Sequence, residues 1–192
     1  MRNNLPITQQ EFALSPDETL VSVTDLKGRI TYCNQSFVEV SGFPLEELLG
    51  QSHNLVRHPD MPSEAFRDMW ETIQAGLPWT GLVKNRRKDG DHYWVQANAT
   101  PMMNGHQITG FLSVRTVPSR EEIRAAETLY GRLNSEQAAG RMRQGLQGGH
   151  VVRKGLSGWF KRLGQPSLAK KLALIQAAAI AAVLAAHFLG AQ

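Results

Sequence analysis

A single cysteine, Cys33, stands in this 192-residue chain, so an internal disulfide and any zinc site built on thiolates are excluded. Also missing are a Ser/His/Asp set, a metal-ligand spacing and a glycine loop of the kind that cradles phosphates. His53 and His58, five residues apart with Asp60 nearby, do not make a metal set. The chain is therefore not expected to be an enzyme. Residues 1–6 lack the apolar run that opens a secretory signal, which puts the expected folded part in the cytoplasm.

Aromatic residues are only 7% of the chain, but 42% is hydrophobic and 20% charged, enough for one globular domain with a core plus something extra. Charge is unevenly placed. Residues 1–119 carry 10 Lys/Arg against 13 Asp/Glu, and residues 120–192 carry 11 against 4, so the basic excess belongs to the tail. The basic run "KNRRK" (residues 84–88) lies at a hairpin end in the acidic part, with no second basic element beside it. It reads as a solvated turn, and no nucleic-acid partner is expected.

Within the tail, residues 172–190 read "LALIQAAAIAAVLAAHFLG", 19 residues without a formal charge if His187 is neutral. At about 1.5 Å per residue such a helix is roughly 29 Å long, close to the roughly 30 Å hydrocarbon core of a bilayer. Lys161, Arg162, Lys170 and Lys171 precede it, the flank of a membrane anchor whose charged end stays on the cytoplasmic side. Gln176 and His187 leave a buried packing helix open as the other reading. Ala178, Ala182 and Ala186 repeat at the spacing that lets two membrane helices approach.

In the first 119 residues, "LVSVTD" (20–25) and "RITYCN" (29–34) alternate apolar and polar residues around Lys27-Gly28, a hairpin pattern. Short helical pieces follow, broken by Gly42, Pro44 and Gly50. Residues 63–76 place Phe66, Met69, Trp70 and Ile73 three and four apart, which predicts one amphipathic helix stopped by Gly76. Three strand-like runs (79–85, 92–101, 108–117) are joined by "RRKDG" and "MNGH", both turn chemistry. Residues 119–134 start helically, and the stretch beyond is glycine-containing and basic. Between the short helices and the amphipathic one lies "GQSHNLVRHPDMP" (50–62), too broken for a helix and too polar for a core strand.

This order, with "VTDLKGRITYCNQSFVEVSGF", "EELLGQ", "NRRKDGDHYWV" and "GFLSVRT", resembles the PAS domain family over roughly residues 10–118. More narrowly, "HNLVRHPDMP", "DMW", "VKNRRKDGDHYWV" and "ANATPM", followed by "GHVVRKGL" and an apolar segment, are similar to the flavin-binding sensory domains of the aerotaxis receptors, a family of bacterial chemoreceptors. The resemblance implies an α+β PAS fold: a five-stranded antiparallel sheet with short covering helices around one ligand cavity. The expected organisation is a PAS sensory domain at 1–118, a basic, glycine-containing connector with a helical start at 119–171 and a transmembrane helix at 172–190.

The resemblance also implies FAD, with turnover limited to redox cycling of the flavin, and a contact set of Asn34, His53, Arg57, His58, Asp60, Trp79 and Asn85. Arg57 and His58 can offer charge-assisted donors to the two phosphates, and Asp60 suits a ribose hydroxyl or the orientation of Arg57. The alternative is that Arg57 and Asp60 pair on the surface. His53 stands where light-sensing relatives carry the cysteine that forms a flavin adduct, so no adduct chemistry is expected; a core histidine is the other reading. Trp79, Gly81, Val83 and Asn85 share one strand face, with Trp79 open between ring contact and core and Trp70 assigned to the core. Asn85 can donate and accept at the flavin pyrimidine edge. Val95 and Arg115 depart from the relatives' asparagine and glutamine. The expected function is an FAD-binding redox sensor of the aerotaxis type at the inner membrane, its PAS domain in the cytoplasm. The expected partners are a second copy and a chemotaxis signalling protein. A haem-binding gas sensor and a ligand-free interaction module are the alternatives; the absence of histidine from 63–76 counts against haem.

Overall fold

The computed structural model describes residues 4–153. The apolar segment 172–190 and the later part of the connector lie outside the described residues. Among the described residues no helix is long and apolar enough to cross a membrane.

The chain opens with an antiparallel pair, β1 (Leu20–Thr24) and β2 (Ile30–Cys33). The Asp25 carboxylate shapes their turn by accepting from the backbone N–H of Lys27 and of Arg29, both at 2.8 Å. Gly28 completes it at φ 74°, a left-handed conformation that a Cβ penalises. A Cβ there would also meet the Trp70 ring at 2.9 Å. Asn34 then stops β2 and starts α1 (Gln35–Ser41): its Oδ1 accepts from Phe37 N–H and Val21 N–H, and its Nδ2 donates to the Thr19 carbonyl. A short helix, α2 (Leu45–Leu48), leads through Gly50 to a 3-10 turn over His53–Val56.

The amphipathic repeat forms α3 (Ser63–Gln74). It is followed by β3 (Trp79–Arg86), β4 (His92–Asn104) and β5 (Gln107–Thr116), all antiparallel, in the sheet order β2-β1-β5-β4-β3. Period-two alternation sends Val83 and Asn85 of β3 and Ala97 and Ala99 of β4 towards α3, and Leu82, Lys84 and Trp94 to the opposite face.

The segment 50–62 spans the two edges of this sheet. At one end Gly50 N–H donates to Ile30 O at 2.7 Å and Ile30 N–H to Gln51 O at 2.9 Å, on the outer edge of β2. At the other, Arg57 bridges to Asn85, and His58 N–H donates to Lys84 O at 3.3 Å, on the outer edge of β3. Between the two edges the segment runs through the 3-10 turn, with Gly50 at its start taking φ 75°.

Residues 119–153 pack onto the domain instead of trailing from it. Ser119 and Glu122 form a capping box that starts α4 (Arg120–Ala138). On the face away from α3, the Tyr130 ring stacks on Trp94 with centroids 6.3 Å apart, and its hydroxyl donates to Leu82 O at 2.6 Å. A hairpin unforeseen in the sequence reading, β6 (Gln144–Gln147) and β7 (His150–Arg153), turns at Gly148-Gly149. It is held to α3 by two buried carboxylates. Glu64 accepts from Leu146 N–H at 3.1 Å, and the two oxygens of Asp68 accept from Gly148 N–H at 2.6 Å and Gly149 N–H at 2.7 Å.

Candidate ligand cavity

Between α3 and the inner face of the sheet lies a cavity of about 430 Å³, within the usual range for a small-molecule site. Its apolar walls come from Phe66, Met69, Trp70 and Ile73 of α3, from Val83, Ala97 and Ala99 of the sheet, and from Phe111 of β5. The polar groups come from two places: the edge-joining segment, with His53 and Arg57, and the strands, with Ser22, Asn85 and Arg115.

Arg57 lies over the Phe66 ring, its guanidinium carbon 3.7 Å from the centroid, and donates from one terminal nitrogen to Met61 O at 3.2 Å. Its Nε is buried and has no partner. Asn85, only 3% exposed, likewise buries Nδ2 without an acceptor. Burial pushes the Arg57 guanidinium down to about 10. Among the described residues no carboxylate pairs with it.

His53 faces Arg115 across the cavity wall. Arg115 brings a terminal nitrogen to 2.7 Å from His53 Nε2 and donates from the other to Ser22 Oγ at 3.0 Å. A guanidinium only donates, so His53 Nε2 is the acceptor and the ring is neutral with its proton on Nδ1. Desolvation, and after it the charge of Arg115, lower the imidazole to about 3. The single histidine of this cavity thus has its Nε2 lone pair engaged. Arg115 is 5% exposed, and burial pushes it down to about 10.

The other sequence candidates divide. His58, fully buried, turns away from the cavity. Its ring meets His92 edge-on at 5.6 Å, its Nδ1 accepts from Asp60 N–H at 3.2 Å, and its Nε2 has no partner. Desolvation first, then the charge of Lys84, depress it to about 4 against the opposing pull of Asp60. Asp60 is bound by Lys84 Nζ at 2.8 Å and borders a second hollow of about 310 Å³ under α4. Burial works against its charge, but the Lys84 ammonium holds its carboxyl below the usual range. Arg57 and Asp60, read from sequence as a possible surface pair, are not one. Trp79 points to the α3 side and donates from Nε1 to Asp68 at 2.8 Å, its ring filling the space over Gly81. Asn34 has its side-chain groups committed to capping.

Two residues at this site gave no sequence signal. Asn4, 7% exposed, donates through Nδ2 to Asn54 O at 2.7 Å and Arg57 O at 2.9 Å, tying the 3-10 turn to the first described residues of the chain. Ser22 fixes Arg115 from β1.

A cavity enclosed by five antiparallel strands, short helices and α3 agrees with the family profile that residues 30–115 match, described as the PAS fold. Residues 30–115 have the PAS fold. Over 162 residues, 84% of the chain and 30% of the relative, it is 54% identical to the aerotaxis receptor of Escherichia coli (strain K12). Over 84 residues, 44% of the chain and 17% of the relative, it is 36% identical to the nitrogen fixation regulatory protein of Klebsiella pneumoniae. The chain therefore spans less than a third of the length of these relatives. The PAS domain is also similar to a solved light-oxygen-voltage domain, the subject of a study with a flavin analogue. That match has a TM-score of 0.53 and 23% identity and covers 62% of this chain and 89% of that one. The dark structure of the photoreceptor Aureochrome1 LOV gives a TM-score of 0.50 and 19% identity over 63% of this chain and 86% of that one. At these identities the structural likeness speaks for the fold alone.

Proposed function

We propose that this PAS domain holds a flavin, FAD, in the 430 Å³ cavity and converts its oxidation state into a conformational signal, as a sensor of the aerotaxis type. The observation that carries the reading is the pair of buried, unpartnered donors at the cavity wall, Arg57 Nε and Asn85 Nδ2. Leaving such a group unpaired costs about 1–3 kcal/mol, so both call for acceptor atoms on an occupant. Carbonyl and phosphate oxygens supply them, and the flavin nucleotide carries both.

Arg57 would hold the phosphates and Asn85 the pyrimidine edge, while the apolar wall from Phe66 to Ile73 keeps water from the ring. When bound, the flavin supplies reversible electron transfer, and the protein supplies its position and electrostatics. His58 and Asp60 act one step back: His58 N–H donates to Lys84 O, and the Asp60 carboxylate fixes the Lys84 side chain, which together seat the Arg57 segment on β3. Asn134 of α4 donates to Asp60 O at 2.7 Å, so the segment that presents Arg57 to the cavity also touches α4. Within this reading the output is a displacement shared by segment 57–60 and α4. The chemotaxis signalling partner, the second copy and the membrane tether belong to the same proposal.

The test is to purify the full chain, record its visible absorption, reconstitute with FAD if it is colourless, and compare amide exchange in oxidised and anaerobically reduced protein. Yellow protein whose exchange changes in β3 to β5 and α4 supports the reading. Failure to take up flavin overturns it. Flavin bound with identical protection throughout leaves a binding protein that is no sensor.

A further inference from the structure

Arg115 is a charge buried in the cavity wall with neutral company. Its fixed acceptors are Ser22 Oγ at 3.0 Å and His53 Nε2 at 2.7 Å, and its guanidinium carbon lies 5.4 Å from the Phe37 ring centroid. No carboxylate pairs with it among the described residues, although Arg67, on the same cavity, has both Glu64 and Glu71. Buried charges are ordinarily paired, because desolvation costs several kcal/mol per ion. With no acid among the described residues to answer Arg115, the compensating negative charge belongs in the cavity that Arg115 lines.

The opposite choice would have been open to this fold. A glutamine at 115 would offer neutral hydrogen-bond donors and carry no charge. Arginine keeps a full positive charge at the same place, and the neutral imidazole of His53 orients it without cancelling it.

Resting on the flavin reading above, we propose that Arg115, oriented by His53 and Ser22, is the counter-charge that makes the cavity favour the reduced, anionic form of the bound flavin over the oxidised, neutral one. The balance is simple. Two electrons and one proton taken up by the oxidised ring leave one negative charge, and dithionite serves as the reductant in the test. Arg115 opposes that charge and has nothing equivalent to oppose in the oxidised state. Arg57 differs: phosphate charge is present in both states, so its contribution to them is alike.

The experiment measures the flavin midpoint potential of the full chain with a reference dye during dithionite titration, for the wild type, Arg115→Gln, Arg115→Lys and Arg57→Ala. Arg115→Gln lowers the potential by about 30 mV or more, a tenfold loss of preference for the reduced form in a two-electron couple. Arg115→Lys keeps most of the wild-type value because it keeps the charge. Arg57→Ala weakens binding of both states and leaves the potential in place. If Arg115→Gln holds flavin too weakly to titrate, the ratio of its dissociation constants for oxidised and reduced FAD, from equilibrium dialysis, reads the same quantity. An unchanged potential or ratio in Arg115→Gln with flavin bound overturns the proposal. A wild type that takes up no flavin at all fails the cofactor reading and this one with it, an outcome plainly different from bound flavin at an unaltered potential.

Discussion

Arg57 and His58, neighbours in the chain, serve opposite sides of the strand edge they lie along. Arg57 lines the cavity over Phe66, and His58 packs edge-on against His92 in a cluster with Lys84 and Asp60. The divergence follows from extended backbone at Arg57, φ −73° and ψ 128°, which sends successive side chains to opposite faces. Substitutions at the two positions should therefore fail in different ways.

Arg57→Ala is expected to weaken FAD retention. The lost charge-assisted contacts are worth about 1.5–3 kcal/mol, about ten- to more than a hundredfold in affinity, with little change in the melting temperature of the flavin-free protein. His58→Ala is expected to do the reverse in part, lowering that melting temperature first. Dialysis against limiting FAD and thermal melts of both variants separate the two effects; equal affinity loss with no difference in melting would show that His58 reaches the ligand after all.

Stability should fall in acid. Both His53 and His58 are depressed in the folded state, to about 3 and about 4, from an unfolded value near 6.5. The unfolded chain thus binds more protons between those limits, and the stabilisation present above about pH 6.5 is lost as pH drops towards 4, by at most about 1.4 kcal/mol per pH unit for each ring. For His53 the protonated ring would face Arg115 with no lone pair left to accept from it. For His58 it would join Lys84, His92 and Arg86, with only Asp60 in opposition. Melting temperatures taken between about pH 7 and pH 4 check this; a flat profile would mean that both rings are solvated.

Asp68→Ala should release the β6–β7 hairpin. The carboxylate accepts from Trp79 Nε1, Gly148 N–H and Gly149 N–H together. Two strands alone are marginally stable. A loss of about 2–4 kcal/mol, with much faster exchange at the Gly148 and Gly149 amides, is the expected result. Unaltered exchange at these two amides would place the hairpin's stability elsewhere.

Blue light should leave no lasting thiol adduct. The one cysteine, Cys33, is a buried β2 residue that does not line the cavity, and burial raises its thiol. Full recovery of the flavin spectrum as soon as illumination ends is expected; slow recovery that disappears in Cys33→Ala would contradict it.

The sheet and α3 were legible because each strand alternates and because Phe66, Met69, Trp70 and Ile73 keep helical spacing. The cavity segment could be singled out from its composition, but which of its residues reach the cavity could not, since that depends on how the segment lies on the edge of β3. Arg115 was noticed as a departure from related proteins, yet its partners Ser22 and His53 are 93 and 62 residues away, and nothing local announces them. The β6–β7 hairpin did leave a trace: Gly148-Gly149 between short strand-like runs is turn chemistry. The acidic residues that anchor it, Glu64 and Asp68, sit one helical turn apart on α3, and the amides they hold lie 80 to 82 residues further along the chain.

The segment that joins β2 to β3 also bears on how another protein can approach. Partners that recognise a sheet by adding a strand need a free row of backbone groups at its margin. Here β2 is only four residues long, and Ile30 already exchanges both its outer groups with Gly50 and Gln51. On β3 the carbonyl of Lys84 is taken by His58, and Thr80 O lies so close to Gly149 that a Cβ there would have no room. Strand addition is largely closed along these two edges, so a protein docking there would have to recognise surface side chains rather than free backbone groups.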